Sequence, residues 1–92
     1  MPPGFHIAWG PIRWFLERHD FAAVTMPWRR VYMLQQYAHR TDIIAHERIH
    51  LEQIDRYGPA RFTILYLWWL LRFGYEGNPL EVEAYAKAPL ME

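Results

Sequence analysis

The histidines at positions 46 and 50 stand four residues apart in the stretch Ile43-Ile44-Ala45-His46-Glu47-Arg48-Ile49-His50-Leu51-Glu52-Gln53. On a helix that spacing puts one side chain a turn above the other, so two imidazole nitrogens can reach a single metal ion. Glu47 directly follows the first histidine. In an H-E-x-x-H helix this glutamate is not a ligand; it stands beside the water on the metal and can take its proton, the arrangement hydrolysis needs. His46 and His50 are therefore candidate metal ligands, and Glu47 is the candidate catalytic base.

A catalytic zinc usually takes three protein ligands and keeps one position for water. The chain has no cysteine. Disulfides and thiolate sites are thus excluded, and His, Asp or Glu must complete the set. Glu81 and Glu83 are candidates, because antiparallel helix packing could return either carboxylate to the histidines. Glu81 also has a structural reading: Asn78 with Glu81 three residues later fits a helix-start capping arrangement. His6 and His19 lack a partner at metal spacing and read as surface or core-edge residues; His39, just before the motif helix, reads as a solvated loop histidine, with a supporting or substrate-contacting role as the alternative.

The elements that would position these groups follow from periodicity and punctuation. Ile43, Ile44, Ile49, Leu51 and Ile54 recur at helical spacing, Thr41 or Asp42 serves as the cap, and Gly58-Pro59 stops the helix after Tyr57. Pro59 opens a second helix whose apolar residues, Phe62 to Leu71, wrap all the way round. Such a helix is a central core element with a self-association patch, or it lies on a membrane surface. Gly74 to Gly77 reads as a turn. Asn78-Pro79 then caps and opens a last helix that Pro89 ends.

Upstream, residues 1–10 read as loop, and Gly10-Pro11 opens a short helix with Ile12, Phe15, Leu16 and His19 on one face. Phe21 to Thr25 and Arg30 to Leu34 have the β-branched and aromatic content of strands, while Pro27 disfavours helix at Met26. Trp28-Arg29-Arg30 suits a half-exposed edge protected by charge. The expected fold is α+β, mostly helical, with a small sheet of one to three short strands in a single domain over residues 1–92.

Composition narrows the function classes. Formal net charge is zero, which gives no electrostatic reason to expect nucleic acid. Apolar residues make up 52% of the chain and aromatics 17%, enough for a folded core, though 92 residues is a size at which a metal or a partner chain adds needed stability. No basic segment followed by a long apolar run marks the N-terminus, and ten apolar residues of helix reach only about 15 Å, half a bilayer core. A cytoplasmic protein with no membrane span is expected, peripheral membrane contact being the alternative.

His46-Glu47-Arg48-Ile49-His50 followed by Glu81-Val82-Glu83-Ala84 resembles the zincin metallopeptidases of the glutamate-ligand type. It looks closest to short bacterial and phage-borne proteins with H-E-x-x-H-x-x-Q and a later N-P-x-E-x-E-A-Y, matched here by His46 to Gln53 and by Asn78 to Tyr85. The resemblance covers about the last two-thirds of the chain. It implies a minimal zincin-like domain holding Zn²⁺ through His46, His50 and Glu81, the first glutamate of E-x-x-A. Tyr85 stands where larger relatives place an aspartate that supports a histidine ligand, so that support must come from elsewhere. Glu83 with Ala86 begins a second E-x-x-A. In zincins an edge strand beside the metal helix holds an extended peptide, and Arg30 to Leu34 is the expected candidate.

The chemistry expected from this reading is zinc-dependent hydrolysis of a peptide or protein substrate. Glu47 takes a proton from water and passes it to the leaving amine, and a phenol such as Tyr85 helps hold the oxyanion. The competing expectation is a non-catalytic module in which the metal is structural and Glu83 supplies a fourth ligand. Partners in either case include a second copy, or a larger assembly, meeting the apolar Phe62 to Leu71 helix.

Overall fold

A computed structural model describes residues 2–89 of the chain. Among them are three strands, β1 (Phe5–Ile7), β2 (Ala23–Met26) and β3 (Arg30–Met33), and four α-helices, α1 (Gly10–Arg18), α2 (Thr41–Tyr57), α3 (Pro59–Gly77) and α4 (Pro79–Lys87), with one 3-10 turn at Gln35–Tyr37. The fold is α+β. The sheet order is β1-β3-β2, with β1 parallel and β2 antiparallel to β3.

Alternation along β3 separates two cores. Val31 and Met33 face α2 and join Phe5, Ile43, Leu51, Ile54, Phe62 and Leu80 in the larger one. Tyr32 and Leu34 point the other way, toward Leu16 of α1 and its neighbours Ile12 and Phe21. A period of two thus puts α2 behind the sheet and α1 in front of it. Truncating Ile54, 2% exposed at the centre of the larger core, leaves a cavity; Ile54→Ala should lower unfolding free energy by about 2–5 kcal/mol in a urea titration.

Two expectations about strands are corrected. Residues 5–7 form a strand rather than loop: its three residues are too few for an alternating signal, and it is held by a non-local partner, Val31 N–H donating to the Gly4 carbonyl at 2.9 Å. Consequently Arg30 to Leu34 is not an edge. β3 is paired on both sides, and β2 is the outer strand beside α2. The β2–β3 loop, residues 27–29, closes with Arg29 at φ 65°, as three-residue hairpin loops do with a left-handed residue. The Arg29 guanidinium then meets Asp55 of α2 at 2.9 Å, tying the hairpin tip to that helix.

The helix ends also differ in detail. Thr41 and Asp42 lie within the first turn of α2, with Arg40 at the cap position and its guanidinium on Asp42. Helix α3 runs through the expected turn to Gly77, broken at Gly74, where φ is 76° and glycine avoids the Cβ clash. Nor is α3 a central core helix: Phe62 alone of its residues is fully buried, while Ile64, Trp68 and Leu71 form an exposed strip at i, i+4 and i+7. No helix among the described residues is long and apolar enough to cross a membrane.

Candidate metal centre

Helix α2 carries His46, Glu47 and His50 on its inner face, and all three are buried. Asn78 caps α4 with its own side chain, accepting from the Leu80 N–H at 3.0 Å, and its amide donates to the Tyr66 carbonyl at 3.1 Å. This fixes the first turn of α4 against α3 and leaves the Glu81 carboxylate free of capping duty. One of its oxygens, Oε1, lies 3.2 Å from His46 Nε2 and 3.2 Å from His50 Nε2. The three candidate ligand atoms are all within 4.8 Å of one another. Bonds of 2.0–2.2 Å in a tetrahedron put ligand atoms about 3.4 Å apart, so this donor set fits a zinc ion with little rearrangement.

Glu83 points elsewhere. It accepts from Gln53 Nε2 at 2.7 Å and pairs with Arg56 and Lys87, each at 3.1 Å. Between the two glutamates of E-x-E, therefore, Glu81 faces the histidines and Glu83 faces the polar side of α2. His6, His19 and His39 are exposed and stay outside the cluster.

Gln53 is the residue that sequence reasoning left without a role. Its Nε2 donates both to Glu83 and to the Leu80 carbonyl at 2.9 Å, so its Oε1 must turn the other way, where it meets His50 Nδ1 at 2.9 Å. The acceptor at Nδ1 makes that nitrogen the N–H and directs Nε2 at the ligand cluster. Its position three residues after His50 on one helix face was the available signal. Gln53→Leu should weaken zinc binding by about 10–100-fold in a competition titration with a fluorescent chelator.

His46 has no equivalent support. Its Nδ1 is buried without a hydrogen-bond partner among the described residues, and its ring packs on Tyr85 at a centroid distance of 4.5 Å. The ring is therefore positioned by packing, with no acceptor at Nδ1 among the described residues. The Tyr85 hydroxyl meets that of Tyr75 at 3.3 Å. Tyr66, hidden in the sequence among other aromatics of α3, donates to Glu81 Oε2 at 2.7 Å. Burial pushes the Tyr66 phenol well above its ordinary range, and the Glu81 charge adds to this, so it remains a donor.

Charge in the cluster follows from this geometry. Burial pulls the His50 imidazole down, but its hydrogen bond to Glu81 and the Glu47 and Glu81 charges outweigh that and raise it to about 9. Burial pushes Glu81 up, yet donation from His46, His50 and Tyr66 wins and holds it at about 2. The two shifts favour a protonated His50 facing a charged Glu81 at neutral pH, in the place a metal ion would take. The His50 contribution to stability is complete below the ordinary histidine value of 6.5 and is lost as pH rises through about 9. A zinc ion bound here would compete with that proton. The thermal shift produced by zinc should accordingly grow between pH 6.5 and 9; a shift that shrinks over this range contradicts the assignment.

Glu47 lies beside the cluster. Burial pushes its carboxyl up, opposed by the His50 and His46 charges. The Thr25 hydroxyl of β2 approaches its Oε2 at 3.5 Å. Glu47, both histidines and Glu81 open onto one cleft of about 570 Å³, walled by residues of β2, α2, α3 and the end of α1. Comparison with protein-family models, curated proteins and solved structures yields no match.

Proposed function

We propose that the chain is a zinc-dependent hydrolase of peptide bonds, as the zincin resemblance implies. The observation that carries this reading is a buried carboxylate, Glu47, sharing one cleft with three convergent ligand atoms from His46, His50 and Glu81. His46, His50 and Glu81 would hold the zinc, which would supply a Lewis acid able to make water nucleophilic near neutral pH.

The chain's own groups do the rest. Glu47 takes the proton of the attacking water, holds it on its Thr25-facing carboxylate and delivers it to the leaving nitrogen. Gln53 keeps His50 in the ligating tautomer, while Tyr66 holds Glu81 by its second oxygen. The substrate backbone lies along β2, because its far side is paired to β3 and residues 22–25 line the cleft; main-chain hydrogen bonds to a free strand edge align an extended peptide. Tyr85, which also lines the cleft, offers its phenol to the developing oxyanion.

The structural-metal alternative called for Glu83 as fourth ligand, and the engagement of Glu83 by Gln53, Arg56 and Lys87 speaks against it. A chelation test separates the readings. Purified protein incubated with a mixed peptide library should cleave, stop cleaving after treatment with 1,10-phenanthroline while keeping its far-ultraviolet circular dichroism, and recover with added Zn²⁺. Loss of the helical signal on chelation, with no cleavage beforehand, would instead favour a structural ion.

A further inference from the structure

The cleft is much larger than the four polar residues at its floor require, and its walls fall into two aromatic groups. On the His50 side, the rings of Phe62 and Tyr66 each lie 6.4 Å from the imidazole. On the His46 side, Tyr85 leads through its hydroxyl contact to Tyr75, whose ring is 5.7 Å from that of Phe21. Leu67 and Leu70 of α3 add to the apolar lining. The ligand atoms are thus flanked on both sides by apolar surface. A volume near 570 Å³ lies within the range of about 300–1,000 Å³ that holds ligands of drug size, more than one side chain fills.

Charge adds a second constraint. Among the described residues that line the cleft there is no lysine or arginine, and the carboxylates present are Asp20, Glu47 and Glu81. An acidic side chain held against these apolar walls, away from the histidines, would lose water with no lysine or arginine to pair with.

Along an extended strand, side chains at i and i+2 point to the same face, roughly 6.5–7 Å apart. A peptide lying along β2 therefore sends alternate side chains into the cleft. We propose that the substrate is an extended peptide with bulky apolar side chains at two alternate positions flanking the bond to be cut, one against Phe62 and Tyr66 and the other against Phe21, and that acidic side chains at those positions are rejected. This rests on the peptide-hydrolase reading above.

Binding tests it without turnover. Zinc-loaded protein is titrated calorimetrically with acetohydroxamate, which reports the metal alone, and with peptide hydroxamates whose two cleft-facing positions are both Phe, both Leu, both Ala or both Asp. The Phe and Leu pairs should bind at least roughly tenfold tighter than the Ala pair, and the Asp pair weakest. In Leu67→Asp, a substitution at a half-exposed position of the wall, the Phe pair should fall to the level of the Ala pair while acetohydroxamate is unaffected. Equal affinity across the peptide series, with acetohydroxamate bound, overturns the proposed specificity and leaves the metal centre standing. Failure of acetohydroxamate to bind the zinc-loaded protein overturns both.

Discussion

Glu47→Gln is expected to keep its zinc and lose its hydrolysis. The amide has nearly the shape of the carboxylate, so the burial of residue 47 and the packing of α2 against β2 are preserved. It cannot accept the proton. General-base catalysis contributes about 10²–10⁴ in rate, and a loss of that size corresponds to about 3–5 kcal/mol of transition-state stabilisation. Because Glu47 is not among the convergent ligand atoms, zinc content should match that of the unmodified chain. Initial rates on a cleaved library peptide, with metal analysis of both proteins, check the two halves together. Undiminished cleavage by Glu47→Gln would remove Glu47 from the chemistry.

The second large effect separates Glu81, the ligand the resemblance implies, from Glu83, the alternative two residues on. Glu81→Ala removes one of the three candidate ligands, leaves two buried histidines without their shared acceptor, and strands the Tyr66 hydroxyl. Its zinc affinity should fall further than the ~10–100-fold cost of an outer-shell loss. Glu83→Ala acts at one remove, by releasing the Gln53 amide that orients His50, and should stay within that smaller range. Competition titration of both variants gives the order directly. A larger loss from Glu83→Ala would reverse the ligand assignment.

What the sequence disclosed was local, and what it hid was long-range. His46 and His50 were legible because their proximity follows from helix geometry over four residues. Glu81 comes from a point 35 residues beyond His46, and the capping pattern Asn78-x-x-Glu81 competed for the same side chain. Only the packed structure shows Asn78 capping alone. The strand β1 was hidden for the same reason: three residues carry no period, and their partner lies in β3.

That omission had a consequence for function, since it made β3 an apparent edge and obscured β2 as the strand facing the cleft. The apolar character of α3 was plain from sequence, but its burial was not. A chain of 92 residues has too little interior to cover a helix on every side, so the inner face of α3 walls the cleft and the Ile64-Trp68-Leu71 strip faces outward.

The central claim, a zinc ion held by His46, His50 and Glu81 with a position left open, is tested most directly by X-ray absorption at the zinc edge on the stoichiometrically loaded protein. The account predicts two imidazole nitrogens at about 2.0–2.1 Å and oxygen ligands at about 2.0–2.2 Å, with one shell component replaced when acetohydroxamate is added. One imidazole should disappear from the spectrum of His50→Ala. Failure to load one zinc per chain, or a closed shell of four protein ligands that acetohydroxamate leaves unchanged, would contradict it.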